Sequence, residues 1–198
     1  MHKVFISYHH ANDQRYKNAL VTLGEQHRIF VDRSVDTGDI DDELSDENIR
    51  TKVRDGYLRD STVTIVLVGT GTKHRKHVDW EIHSSMYDGA VNKRSGIIIV
   101  NLPTIDNDGV CAPHGDDEKR LYPDITWVAV DSRAEYERRY PHMPERILDN
   151  LVKPDVKISI VPWDRLNVRT LQFLVDIAFQ YRKSCKYDLS RPMRRANS

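Results

Sequence analysis

Residues 62–68 read Thr-Val-Thr-Ile-Val-Leu-Val, an uncharged and mostly β-branched run closed by Gly69 and Gly71. Such a run is strand-length, and its lack of polar alternation fits a strand buried on both faces of a parallel sheet. A parallel strand cannot return to its neighbour through a tight turn, so helices must lie on either side of it in the sequence. A second run of this kind, Gly-Ile-Ile-Ile-Val-Asn-Leu at 96–102, follows after a helix-length interval.

The intervals read accordingly. Lys3 to Tyr8 is a short apolar strand. Asn12 or Asp13 can cap a helix to about Gln26, with Tyr16, Ala19, Leu20 and Leu23 at helical spacing. Arg28 to Val31 is a second strand, and the acidic stretch from Asp32 to Leu44, with Gly38, is a surface loop. Ser45 or Asp46 can cap a helix carrying Ile49, Val53 and Leu58, and a further helix runs from about Val78 to Tyr87. Beyond Pro103 the pattern weakens into a long loop to Tyr122, an edge strand over Ile125–Val130, a short helix over Glu145–Leu151 and a last helix over Val168–Tyr181. The reading is one α/β domain over residues 1–186, a doubly wound parallel sheet of about five strands with flanking helices, followed by a basic, flexible and solvated tail over 187–198.

With 198 residues the chain suits a single domain. Lys+Arg and Asp+Glu balance at 30 each, which argues against a nucleic-acid or acidic-membrane binder. No run is long and apolar enough to span a bilayer or serve as a secretory signal. The two cysteines, Cys111 and Cys185, fit neither a disulfide framework nor a zinc ribbon. The expectation is a cytoplasmic protein.

In an open α/β sheet ligands bind beyond the carboxyl ends of the strands, where strand order reverses. For a flavodoxin-like order 2-1-3-4-5 that point lies between the first and third strands. Tyr8-His9-His10 ends the first, Gly69-Thr70-Gly71-Thr72 ends the third, and the following loop carries Arg75 into Val78-Asp79-Trp80-Glu81. Glu81 is then expected in the opening turn of a helix at a cleft rim. It is either a helix N-terminal acid, stabilised by about 0.3–1 kcal/mol through the helix dipole, or a functional carboxylate. Trp80 is either core packing or a wall of the cleft. Arg75 is a loop charge or a pyrophosphate ligand, and His9 a strand-end residue or a hydrogen-bonding group of the pocket. His74, His77, Glu81 and His83 lack the spacing that puts two imidazoles on one helical face, so no metal site is expected; the acids around Gly38 do not fit a calcium loop.

Val-Phe-Ile-Ser-Tyr-His at 4–9, Ser-Thr-Val-Thr-Ile-Val-Leu-Val-Gly at 61–69, Thr72, Arg75, Val-Asp-Trp-Glu-Ile at 78–82 and Val-Pro-Trp-Asp at 161–164 together resemble the TIR-like domain of the Thoeris anti-phage system. The resemblance implies a flavodoxin-like sheet and an NAD+-consuming site. It implies Glu81 as the catalytic residue and Phe5, Ser7 and Tyr8 as lining for the nucleotide; His9, Thr70, Arg75 and Trp80 join them as substrate-binding candidates from their place at the expected cleft. NAD+ is the substrate and no other cofactor is needed. The product is a signalling derivative of ADP-ribose, cyclic in many members, that acts on a separate effector protein. Self-association through the loop after the second strand is a further implication. Two other readings stay open: a nucleoside or deoxyribosyl transferase on a related sheet, and a non-catalytic interaction module. A phospho-accepting receiver is disfavoured because the third strand ends without an aspartate.

Overall fold

The structure, a computed structural model, describes residues 1–34, 44–89 and 93–197. Its centre is a five-stranded sheet in the order β2-β1-β3-β4-β5, every neighbouring pair parallel. The strands are β1 (His2–Ser7), β2 (Phe30–Asp32), β3 (Val63–Val68), β4 (Gly96–Asn101) and β5 (Ser159–Pro162). Every residue of β3 and β4 is buried, as the two uncharged runs require of central strands covered on both faces.

Alternation along the strands divides the core. Val4, Ile6, Ile65, Leu67, Ile98 and Val100 pack on one face against α1 (His10–Gln26) and α7 (Val168–Tyr181), through Leu20, Leu171, Leu174 and Val175. On the other face, Val66, Val68, Ile97 and Ile99 meet Val78, Ile82 and Met86 of α3 (Lys76–Met86) and Ile147 and Leu148 of α6 (Glu145–Leu151). A smaller cluster on that face joins Phe5 and Trp80 to Ile49 of α2 (Asp46–Thr51) and to Val53 and Leu58, which follow in and after a π-helical turn over Lys52–Tyr57.

Several expected boundaries move. The first helix starts at His10, with His9 as its N-cap residue, so Asp13 lies inside the first turn and is buried. It ends where Arg28 takes a left-handed φ of 53°, and β2 begins at Phe30. Ser45 does cap α2, its hydroxyl accepting from the Asn48 amide at 3.3 Å. Ile125–Val130 forms no strand: Ile125 and Trp127 pack sideways onto the core as irregular chain. The edge position belongs to β5, whose Ile160 also pairs antiparallel with Cys111. The stretch 104–122 is not all loop, since α4 (Asp116–Lys119) lies within it, and α5 (Arg133–Arg139) precedes α6. Most of the acidic stretch expected as a loop, residues 35–43, lies outside the described residues.

The expectation of a solvated tail over 187–198 does not hold for 187–197. This segment has no helix or strand, yet it runs as a strap across α6, α3 and the start of α2. The Arg146 guanidinium, wholly buried, donates to Asp79 Oδ1 at 2.9 Å and Oδ2 at 3.1 Å and also to the carbonyls of Arg191 (2.9 Å) and Pro192 (3.1 Å). Asp79 in turn accepts from the Arg194 amide at 2.8 Å. Met193 is 3% exposed and completes the Phe5–Trp80 cluster. Arg191 pairs with Asp149, and Arg195 with Asp46. The arginines that give the segment its soluble composition are spent on partners within the fold.

Among the described residues no helix is long and apolar enough to cross a membrane. Cys111 and Cys185 are free thiols.

Candidate active site

Between the carboxyl end of β1 and the start of α3 lies a cavity of about 310 Å³. Its walls are Tyr8, His9, His10 and Ala11 from the β1–α1 junction, Arg75, His77, Val78 and Glu81 from the start of α3, and Asn197 from the strap. This is the crossover point at which an open α/β sheet of this order places its ligand site.

Glu81 is 2% exposed and sits in the second turn of α3, because that helix begins at Lys76 rather than near Val78. The placement expected at a helix opening is therefore corrected to one turn deeper, against the sheet. The Ser7 hydroxyl donates to Glu81 Oε2 at 2.6 Å, a short bond of the kind a carboxylate accepts. Alternation explains the meeting: Phe5 and Ser7 point to the α3 face of β1, while Val4, Ile6 and Tyr8 point to the other. One helical turn on, Ser85 meets Thr64 of β3 with the two hydroxyl oxygens 2.8 Å apart. A polar seam thus runs between α3 and the sheet, and only its Glu81 end reaches the cavity.

The remaining walls are polar and aromatic. Tyr8 is 5% exposed, stacks on the His10 ring at 4.4 Å and donates its hydroxyl to Gln14 at 2.6 Å. His9 is buried, and its pKa is lowered first by that burial and then by the charges of Arg75 and His10. Among the described residues its Nδ1 has no hydrogen-bond partner, and neither does the buried Nε of Arg75. The Lys76 amide at the start of α3 donates to Asn197 Oδ1 at 2.9 Å, which brings the strap to the cavity's edge.

The structure thus brings together five of the residues named from sequence: Ser7 behind the carboxylate, and Tyr8, His9, Arg75 and Glu81 on the wall. Three do not reach it. Phe5 is 1% exposed within the cluster under α2 and α3. Trp80 is fully buried in the same cluster, donates its indole N–H to the Arg194 carbonyl at 2.8 Å and packs edge-on against His77. About 100° round the helix from Glu81, its side chain turns into that cluster and away from the cavity. Thr70 is exposed on the loop after β3 and is not part of the wall. Ala11, His77 and Asn197 were missed. His77 had a helical signal, one turn before Glu81, whereas nothing local in the sequence points to Asn197. Among the described residues no group of three or more His, Cys, Asp or Glu could hold a metal ion.

No curated protein matches the chain. A family model does, over residues 5–107, which is just over half of the chain and spans β1 through the turn after β4. That span contains the cavity's described walls apart from Asn197. The model is that of the Thoeris protein ThsB, TIR-like domain, and with its parallel sheet in the order 2-1-3-4-5 the chain belongs to that TIR-like family.

Proposed function

We infer that this protein is an NAD+-consuming enzyme of anti-phage defence, acting in the cytoplasm, that breaks the nicotinamide–ribose bond and builds a signalling nucleotide from the ADP-ribosyl group. The observation that carries the reading is the buried Glu81 carboxyl group, oriented by Ser7, at the wall of the cavity between β1 and α3.

The chemistry asks little more of the protein. Nicotinamide in NAD+ leaves as a neutral molecule, taking the electron pair of the C1′–N bond, so no strong general acid is required. Positive charge develops on C1′ and the ring oxygen of the ribose. A carboxylate held in place stabilises that charge without reorganising, and can also accept hydrogen bonds from the ribose hydroxyls. The low exposure of Glu81 strengthens the interaction relative to water. Arg75 and the first amides of α1, near His10 and Ala11, line the cavity and would meet the pyrophosphate, because a helix N-terminus and a guanidinium both favour anions. At about 310 Å³ the cavity is at the small end of ligand sites, suited to the nicotinamide riboside half with the adenosine half lying outward. A hydroxyl of the adenosine ribose then captures C1′ and releases a proton, closing a cyclic product. The product acts on a separate effector protein.

The test is incubation with NAD+ at high protein concentration, followed by mass analysis. The reading expects free nicotinamide and an ADP-ribosyl product one water lighter than ADP-ribose. Base exchange between nucleosides with NAD+ untouched would favour a nucleoside transferase instead. Intact NAD+ in crowded conditions and with a phage trigger would favour a scaffold role.

A further inference from the structure

A second cavity, of about 220 Å³, opens at the same edge of the sheet but beyond β4 and β5. Its wall includes the end of β4 at Asn101, the turn carrying Asp106 and Asp108, and Trp163 and Asp164 after β5. None of these residues takes part in the proposed NAD+ chemistry.

The decisive feature is Asn101. It is 2% exposed, and among the described residues its Oδ1 has no hydrogen-bond partner. The amide's orientation follows from its neighbours. Asn107 Nδ2 donates to the Arg139 carbonyl at 2.7 Å, and Asn107 Oδ1 accepts from the Gly109 amide at 2.9 Å. Asn107 Oδ1 is therefore an acceptor facing Asn101, which must present its own Nδ2, at 3.4 Å. The oxygen of Asn101 is left as a buried acceptor without a donor among the described residues, a desolvation penalty that a bound N–H group would relieve.

Several groups of the wall cannot do the same job. Pro103 and Pro162 have no amide hydrogen, and the Leu102 amide is committed to the Val68 carbonyl at 2.9 Å. Asp106, Asp108 and Asp164 are exposed carboxylates. The neighbouring Arg165 is held by Asp124, with contacts of 2.8 and 2.7 Å. Trp163 is partly buried, with Tyr16 edge-on at 5.0 Å, and gives the cavity an aromatic surface. The carboxylates do not converge: no three acidic, histidine or cysteine residues among those described can surround one metal ion. An acceptor-rich wall with dispersed charge and an indole fits an extended cation bearing several N–H groups, not a point ion.

We propose that the cavity beyond β4 and β5 is a binding site for a small organic cation with a guanidinium or primary ammonium head, received by Asn101 Oδ1, the carboxylates of Asp106, Asp108 and Asp164, and the Trp163 ring. This site is separate from the Glu81 cavity, and the inference does not rest on the activity proposed there.

The probes are agmatine, which carries both heads, tetramethylammonium, which has the charge but no N–H, and magnesium. Binding to the full chain is read from side-chain amide resonances of Asn101 and Asn107 and from tryptophan fluorescence, compared with Trp163→Phe. Agmatine is expected to saturate below about 10 mM and to shift the Asn101 amide, with tetramethylammonium at least about tenfold weaker because it cannot satisfy the orphaned oxygen. Asp108→Asn and Asp164→Asn, both at exposed positions that leave the core intact, are expected to weaken agmatine about five- to tenfold. Absence of saturation by agmatine overturns the proposal. So does equal binding of tetramethylammonium, unchanged affinity in the two Asn variants, or a magnesium response that displaces agmatine and shifts the same amides.

Discussion

Asp79→Asn is the substitution that most sharply tests how the strap is held. In the native fold the Arg146 side chain has no exposure, and Asp79 supplies both oxygens of a bidentate pair while also receiving the Arg194 amide. The change to Asn is nearly isosteric, so packing is kept and only the charge is removed. Arg146 keeps its two bonds to the Arg191 and Pro192 carbonyls but becomes a buried cation without a counter-charge. Breaking a buried pair from one side costs about 3–5 kcal/mol. For a domain of this size each kcal/mol lowers Tm by about 2–4 °C, so a fall of roughly 6–20 °C is expected. The double variant Asp79→Leu with Arg146→Met should not recover the loss, although hydrophobic replacement of buried pairs often does. Here the strap's carbonyls and the Arg194 amide would lose their partners as well. Thermal and urea unfolding followed by circular dichroism, with limited proteolysis of residues 187–197, gives both readouts. An Asp79→Asn protein within about 1 kcal/mol of wild type, with its strap still protected, would refute the claim that this pair anchors the strap.

Three further outcomes follow from named contacts. Ser7→Ala removes the hydroxyl that orients Glu81 Oε2, and should lower kcat for nicotinamide release about tenfold with KM little changed, an effect of about 1–1.5 kcal/mol measured by steady-state kinetics. Gly96→Ala would place its Cβ 2.2 Å from the backbone oxygen of Ala178 on α7, so β4 and α7 must separate; a loss of about 1–3 kcal/mol is expected in urea titration. Stability should rise with pH between about 5 and 6. Burial holds His83 and His114 at about 4 in the folded state, so in this window the unfolded chain has taken up two protons that the folded chain refuses. Burial raises Glu118 to about 7, so the folded chain holds one proton that the unfolded chain has lost, and the net slope is one proton, about 1.4 kcal/mol per pH unit. His9, lowered by burial, acts with the other two histidines, and Asp13, raised by burial, acts with Glu118, so these two oppose each other. Glu118→Gln should steepen the slope to about 2.8 kcal/mol per unit, read from urea unfolding at several pH values.

The sheet was legible because its central strands are pure: β3 and β4 carry no charge, and α7 repeats Leu171, Leu174, Val175 and Ala178 at helical spacing. Right-handed crossovers imply a parallel, doubly wound sheet, and the flavodoxin-like order assumed for it is the one observed. The fifth strand was displaced in the reading because Ser159–Pro162 is short and ends in proline, while Ile125–Val130 has strand-like residues that serve only as side packing. The strap was illegible for a different reason. It has no period, and its contacts join residues as distant as Arg194 and Asp79, which composition alone cannot anticipate.

The candidate site was readable to the level of the elements that meet, and less so for each side chain. Glu81 and Trp80 are adjacent in sequence and were assigned to one cleft, but helical phase turns one to the cavity and the other into the core. The burial of Glu81 against Ser7 depends on the register of α3 on β1, a tertiary fact with no local signature.

The most direct measurement of the central claim is the rate of nicotinamide release from NAD+ by wild type and Glu81→Gln, assayed side by side at high protein concentration with folding checked by circular dichroism. The account predicts release by the wild type and a fall of at least about 10²–10³-fold in the variant, since the amide keeps the shape and the Ser7 contact but not the charge. A folded Glu81→Gln protein that releases nicotinamide at the wild-type rate would contradict it.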